Sequence, residues 1–404
     1  MSRTTVVIGF AEAMSAPEVL WSLVDAGFRV VAFARRGRAS ALRHSRLVQC
    51  YEITSPESDL QASLSELNSL LGSLTTSSET GRLILLPLDD KAVWLCSRLP
   101  PSNGWLLAGP SGSCAELALN KNLQVQAARE AGFNVPQSVL AQTAADLFAF
   151  QSTVSFPIIL KAAECVPVRQ GRIKSCRKWI CANRLELEKA VVEWGEKVPL
   201  LAQSFVPGIG EGVFGIAAPE GIRVWSAHRR VRMMDPQGSG SSACISQDVP
   251  EEIKSNVEAL IAKAGWRGLF MIELLRDSGG KIWFVELNGR TWGSMALCRR
   301  QSLEYPAWHV HLAMDEASQA GIGASSQAEL LCRHAGREFM HLLFVLRGAR
   351  SNALTQWPSF WKSFGDILRF RRKDGVYNWR RDDSKVFFAD FYYTIHDNVF
   401  KSKN

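Results

Sequence analysis

The segment GLFMIELLRDSGGKIWFVELNGR, residues 268 to 290, constrains the fold of this chain more than any other. Two apolar runs flank Asp277-Ser278-Gly279-Gly280, a composition that turns one strand back along another. The first strand carries a carboxylate, Glu273, in its middle. The second ends on Glu286, Asn288 and Arg290, polar at every second position, so these three side chains should point to one face. Phe284 shares that parity, and Val285 and Leu287 are expected to point the other way. A lone carboxylate inside an apolar strand is costly unless it is paired or binds a cation. Two carboxylates and an amide oxygen on neighbouring strands make a hard, oxygen-only donor set, suited to Mg2+ and unsuited to zinc. Magnesium usually keeps substrate phosphates among its ligands, so the set implies a nucleotide. Arg290 adds the planar fork that holds a phosphoryl group. The competing reading makes Glu286 and Arg290 surface partners and pairs Glu273 with a lysine.

The remaining segments alternate strands with helices. TTVVIGF, RVVAFAR and GRLILLPLDD read as buried strands, and SAPEVLWSLVDAGF as a helix with Pro17 in its first turn and Gly27 as its stop. Such alternation predicts a parallel sheet, and about the first 112 residues form a Rossmann-like α/β unit. GFAEAM, the turn after the first strand, lacks GxGxxG, so it is not read as a dinucleotide site. One long helix is predicted over 116–130. FPIILKAA is a strand ending on Lys161, AECVPVRQGRIKSCRK a basic loop or hairpin, and LLAQSFVPGIGEGVFGIAA two strands around a glycine-rich turn.

In this order the segments resemble the ATP-grasp superfamily, in its carboxylate–amine ligase-like branch, from about residue 1 to 300. The resemblance is strongest in GLFMIELL and FVELNGRTWGS. It implies an α/β chain with an N-terminal Rossmann-like (pre-ATP-grasp) domain over 1–112. An ATP-grasp domain follows over 113–310, with a small, lid-bearing part at 113–200 and a metal-binding part at 201–310. A basic, aromatic-rich C-terminal helical extension completes it over 311–404. It also implies roles. Glu273, Glu286 and Asn288 take the metal positions, for two Mg2+ ions with Mn2+ as a substitute. Lys121 and Lys161 face ATP phosphates, and Lys161 and Arg290 are the catalytic pair. Gln203, Ser204, Phe205 and Val206 form the adenine hinge, Glu211 holds the ribose hydroxyls, and Arg230 faces phosphate. HRRVR at 228–232 and GSGSSA at 238–243 resemble the basic strand and small-residue loop of the same branch. The lid has one glycine and many basic residues, which leaves its phosphate contact unassigned. Gln203 stands where an acid is common, and NGRTWGS replaces the more frequent Asn-Pro-Arg. The implied activity is ATP-dependent joining of a small carboxylate to an amine through an acyl phosphate. A kinase on the same scaffold and a non-catalytic ATP-binding module are the alternatives.

Composition narrows the partners. Nine scattered cysteines with no CxxC pair argue against a zinc or disulfide framework, so a reducing, cytoplasmic setting is expected. No apolar run approaches the roughly 20 residues of a membrane span. Of the net charge of +8, most lies in the last 55 residues, where eleven Lys or Arg stand against six Asp or Glu. No nucleic acid partner is expected, and a homodimer is compatible with the chain. In WPSFWKSFGDILRFRRK, residues 357–373, the side chains Trp357, Phe360, Trp361, Phe364, Ile367 and Leu368 recur at helical spacing. That stripe is expected to pack on the body, with docking to an anionic membrane or a partner protein as the alternative.

Overall fold

Apolar strands alternating with helices call for a parallel sheet, and the N-terminal residues build one. The computed structural model describes residues 4–76, 82–100, 104–174, 176–238, 240–316, 329–349 and 357–400. Ser239 of the 238–243 loop and Ser175 of the basic segment therefore lie outside the described residues. β1 (Thr5–Gly9), β2 (Arg29–Arg35), β3 (Gln49–Ile53), β4 (Leu83–Pro87) and β5 (Leu106–Leu107) lie in the order β3-β2-β1-β4-β5, all parallel. β1 and β4 are buried throughout, as interior strands covered on both faces must be. One cover is α1 (Ala16–Asp25), the other α2 (Leu60–Thr76) with α3 (Asp90–Cys96). Gly27, just past α1, takes φ +91°, which glycine reaches without strain.

The helix expected over 116–130 is two, α4 (Gly112–Leu119) and α5 (Lys121–Glu130). Asn120 between them has extended backbone, and its Oδ1 accepts from the N–H groups of Asn122 and Leu123 at 3.0 and 3.1 Å. An asparagine that caps the helix after it interrupts the helix before it. The break places Lys121 at the first position of α5.

A second sheet follows, made of β6 (Ser138–Ala141), β7 (Ile158–Ala162), β10 (Trp179–Cys181) and β11 (Leu200–Ser204) in the order β10-β7-β11-β6. The basic segment inserts a hairpin, β8 (Val168–Arg169) and β9 (Arg172–Ile173), between β7 and β10. Ile158, Leu160, Leu200 and Ala202 pack one face against α6 (Ala144–Gln151) and α7 (Arg184–Trp194). By alternation the opposite face carries Ile159, Lys161, Leu201 and Gln203.

The largest sheet has seven strands: β12 (Ile209–Ala218), β13 (Gly221–Met233), β14 (Ser241–Gln247), β15 (Gly268–Arg276), β16 (Ile282–Asn288), β17 (Leu331–Arg333) and β18 (Gly375–Val376). Their order is β16-β15-β12-β13-β14-β17-β18. Ile272, Leu274, Phe284 and Leu287 bury one face with α5 and α8 (Lys254–Lys263). Phe214, Met271 and Trp292 bury the other, where α9 (Met295–Arg299) and α10 (Tyr305–Ala313) pack.

The C-terminal residues are helical, in α11 (Ala335–Arg347), α12 (Phe360–Leu368) and α13 (Ser384–Val399), and they also supply β17 and β18. They return to the first sheet. Trp21 Nε1 and Ser45 Oγ donate to Asp383 at 2.9 and 2.6 Å, and the Asn378 N–H donates to Glu18 at 2.9 Å. Among the described residues, no helix is long and apolar enough to cross a membrane.

The aromatic stripe at 357–373 does not pack as a unit. Ser363 is the buried residue of α12, with its hydroxyl 3.0 Å from His341 Nε2, and Trp357 Nε1 donates to the Val345 carbonyl at 3.0 Å. Phe360 and Ile367 flank that contact, half-buried. Turning Ser363 inward turns Trp361, Phe364 and Leu368 outward, and Trp361 is 76% exposed.

Candidate functional site

The hairpin forms with Glu273 opposite Glu286 and Met271 opposite Asn288. Beyond Glu273 the pairing slips by one residue, so Leu274 meets Phe284 and Val285 is the extra residue of a bulge. The slip corrects one expectation. Phe284 lies in the core beside Leu287, on the side of the sheet away from Glu286. A regular strand would force Phe284 and Glu286 onto one face, exposing the first or burying the second.

Each carboxylate meets a cation. Arg230 of β13 reaches Glu273 of β15 at 2.7 Å, although β12 runs between those strands. Two glycines of β12 clear the way. A Cβ on Gly210 would stand 2.6 Å from Arg230 Cδ, and one on Gly212 would stand 2.9 Å from His228 Nε2. Gly210 and Gly212 of GIGEG thus lie within β12 and make a bare groove across it, where the sequence suggested a turn.

Glu286 meets Lys121 Nζ at 3.3 Å and accepts from Asn288 Nδ2 at 3.4 Å. Lys121 also donates to Cys165 Sγ at 3.0 Å. Burial opposes ionisation of Glu286, but Lys121, Lys161 and Arg290 outweigh it and hold the carboxyl at about 2. Lys161 answers the other way. Burial, reinforced by Lys121, overcomes the attraction of Glu286 and brings its ammonium down to about 8. Lys178, exposed on the basic segment, is lowered by burial of its ammonium while Glu286 and Glu273 attract it. The lysines of the small sheet and the carboxylates of the large sheet therefore face one cleft. Two carboxylates and an amide within this cation ring fit a divalent ion by donor type, as all three offer hard oxygens.

Arg290 leaves β16 and meets the first sheet. Its Nε donates to Asp90 Oδ1 at 2.9 Å, and burial is overcome by Asp90, which raises the guanidinium further above its usual range. Asp90 opens α3 at the C-terminal end of β4, and the sequence reading missed it. Asp89-Asp90 directly after a parallel strand was the available signal, because ligands of open α/β sheets gather at that end.

Beside this group lies a cavity of about 270 Å3 between the first sheet and the large one. Arg230, Glu273 and Arg290 line one side, and Ser15, Thr291 and Ser294 supply hydroxyls. His228 Nδ1 lies 2.9 Å from Ser294 Oγ, while its buried Nε2 has no hydrogen-bond partner among the described residues. Burial, then Arg230, pushes this imidazole down to about 3, so it is neutral. Arg337 of α11 lines the same space, and its guanidinium donates to the Ser241 carbonyl at 3.1 Å. Gly240 lets it approach, since a Cβ there would stand 2.9 Å from the guanidinium. Nothing in AGREFMH marks Arg337 from sequence.

Other predicted residues are placed differently. Gln203 shares the Lys161 face and donates to Ser138 Oγ at 2.8 Å. The N–H groups of Ser204 and Phe205 are engaged by the carbonyls of Gln137 and Pro157, while the Val206 N–H has no backbone partner among the described residues. Glu211 is not brought to the cleft. It pairs with Leu274 across β12 and β15, on the face away from Glu273, and takes Arg276 at 2.9 and 3.2 Å.

The sequence matches no protein-family model and no curated protein. Solved structures match in fold. The biotin carboxylase domain of Hydrogenobacter thermophilus 2-oxoglutarate carboxylase superposes with a TM-score of 0.61 at 14% identity, over 82% of this chain and 74% of that one. An L-amino acid ligase from Bacillus licheniformis gives 0.58 at 17%, over 81% and 78%. An N5-carboxyaminoimidazole ribonucleotide synthetase in complex with ADP gives 0.60 at 13%, over 91% and 95%.

Proposed function

We propose that this chain, which has the ATP-grasp fold, is an ATP-dependent ligase that joins a small carboxylate to an amine and releases ADP and phosphate. The observation that carries the reading is the Glu273–Glu286 cross-strand pair with Asn288, facing Lys161 across the cleft and followed by Arg290. Structures similar in fold include a biotin carboxylase domain and an L-amino acid ligase, and activation of a carboxylate suits this site.

Glu273, Glu286 and Asn288 would hold magnesium, which when bound supplies positive charge to the phosphate oxygens. Displacement of Arg230 and Lys121 from the two carboxylates would free both cations for phosphate. Lys161 and Lys178 neutralise the phosphate chain from the small sheet, and Val206 N–H with the hinge carbonyls reads the base. Arg290 exchanges Asp90 for the oxygens of the acyl phosphate and then of the tetrahedral adduct. The hydroxyls, Arg337 and the neutral His228 orient the substrates in the cavity. Little side-chain proton transfer is needed, since the carboxylate attacks as an anion. The domain limits 1–112, 113–310 and 311–404 belong to the same proposal.

A screen of ATP consumption over carboxylates crossed with amines tests it, with hydroxylamine as the trapping amine. The expected result is carboxylate-dependent ADP release that yields a hydroxamate. ADP release with stable phosphorylation of a hydroxyl acceptor, and no hydroxamate, assigns a kinase instead. MgATP binding with no turnover on any pair leaves a binding module.

A further inference from the structure

The outward face of α12 has no part in the cleft. Trp361, Phe364 and Leu368 stand at i, i+3 and i+7, one stripe of a helix. Trp361 is 76% exposed and Leu368 67%, and Phe370, just past the helix, is 56% exposed. Ser363 and Trp357 fix the helix in this attitude through His341 and Val345. Its flanks are basic. Lys362, Arg369, Arg371, Arg372 and Lys373 are all exposed, against Asp366 as the one acid between residues 360 and 373. Asp366 offsets Arg369 at 3.6 Å, and Asp374, the next acid, is buried on Arg333 at 3.2 Å, so the stretch from 360 to 373 keeps a net charge of +4, five cations less one acid.

We propose that this face docks the protein on an anionic membrane surface. Trp361, Phe364, Leu368 and Phe370 enter the headgroup layer, and the five cations meet the lipid charges. A short amphipathic helix with aromatic and leucine side chains on one face and basic residues beside it is built to lie in that layer, and tryptophan favours the interface itself. The charge argues against a second copy of this chain as occupant. A two-fold contact would set the same five cations against one another. The face is also a helix ridge, not a groove, which suits a fluid surface better than a peptide.

Full-length protein sedimented with vesicles tests the proposal. Vesicles of phosphatidylcholine with roughly 30% phosphatidylserine should retain it, pure phosphatidylcholine should not, and about 0.5 M salt should release it. Trp361→Ser combined with Leu368→Ser should lower retention at least about tenfold with an unchanged melting temperature, since both side chains are exposed. Arg371→Gln, Arg372→Gln and Lys373→Gln together should do the same through charge alone, and this variant carries the test if the first loses stability. Absence of retention on anionic vesicles overturns the proposal, as does retention that both variants keep. A concentration-dependent dimer that Trp361→Ser dissolves, without vesicle binding, assigns the face to a second copy. Polyglutamate capture in place of vesicle binding assigns it to an acidic protein. Either outcome also overturns it.

Discussion

At Lys161 and Glu286 the charge states oppose expectation from burial alone in one case and follow it in the other. Lys161 is held below the ordinary lysine range, so the ligand-free protein loses this proton as pH rises through about 8. Between that pH and the ordinary lysine value the unfolded chain binds more protons, and the ligand-free fold gains stability as pH rises. Nucleotide phosphate favours the charged lysine, so binding takes up a proton in the same window. Affinity for MgADP should fall about tenfold per pH unit above pH 8. Calorimetric titration between roughly pH 7 and 9.5 measures it, and Lys161→Met should remove the slope. A flat wild-type profile would discard the phosphate role. Glu286→Gln should lower turnover at least about 100-fold. It also leaves Lys121 and Lys161 without their carboxylate, a loss of about 1–3 kcal/mol. ATP consumption and urea unfolding read the two effects separately, and a fully active variant would remove Glu286 from the metal set.

The informative element is β12, because what it lacks matters more than what it carries. Gly210 lets Arg230 of β13 cross to Glu273 of β15, and Gly212 leaves room for the His228 ring. Gly210→Ala should push Arg230 off Glu273, lower stability by about 1–3 kcal/mol and reduce turnover with it. Denaturant unfolding and an activity assay on the same preparation decide the point, and a variant equal to wild type in both shows the groove to be incidental. Periodicity could not reveal this use, since a glycine repeat has the same composition in a turn as in a groove. The bulge at Val285 was hidden for a related reason. It depends on the register of the partner strand, which alternation within one strand does not contain.

Across the whole molecule, the C-terminal residues act as a clasp between the sheets. A chain ended after Arg350 would lose Asp383 from Trp21 and Ser45, the fully buried Val386 from the first core, and β18 from the large sheet. It should accumulate as insoluble protein, and a soluble, monodisperse truncation on gel filtration would contradict that. The same tail yields two predictions of opposite sign, because α13 is packed where the outer face of α12 is not. Local pattern was enough to place Glu273, Glu286 and Asn288 together, since a two-strand turn and a period of two leave few alternatives. It also gave the parallel first sheet and the strand that carries Lys161. It could not give Asp90, which lies 200 residues from Arg290, nor Arg337, nor the unpartnered nitrogen of His228. Nor could it tell which side of α12 turns inward, a choice made by distant partners: His341 for Ser363, the Val345 carbonyl for Trp357, and Arg333 for the Asp366 and Ile367 carbonyls. Short-range steric rules act along the chain and are written in it. Contacts between distant elements exist only once three sheets and the clasp have closed on the same cleft.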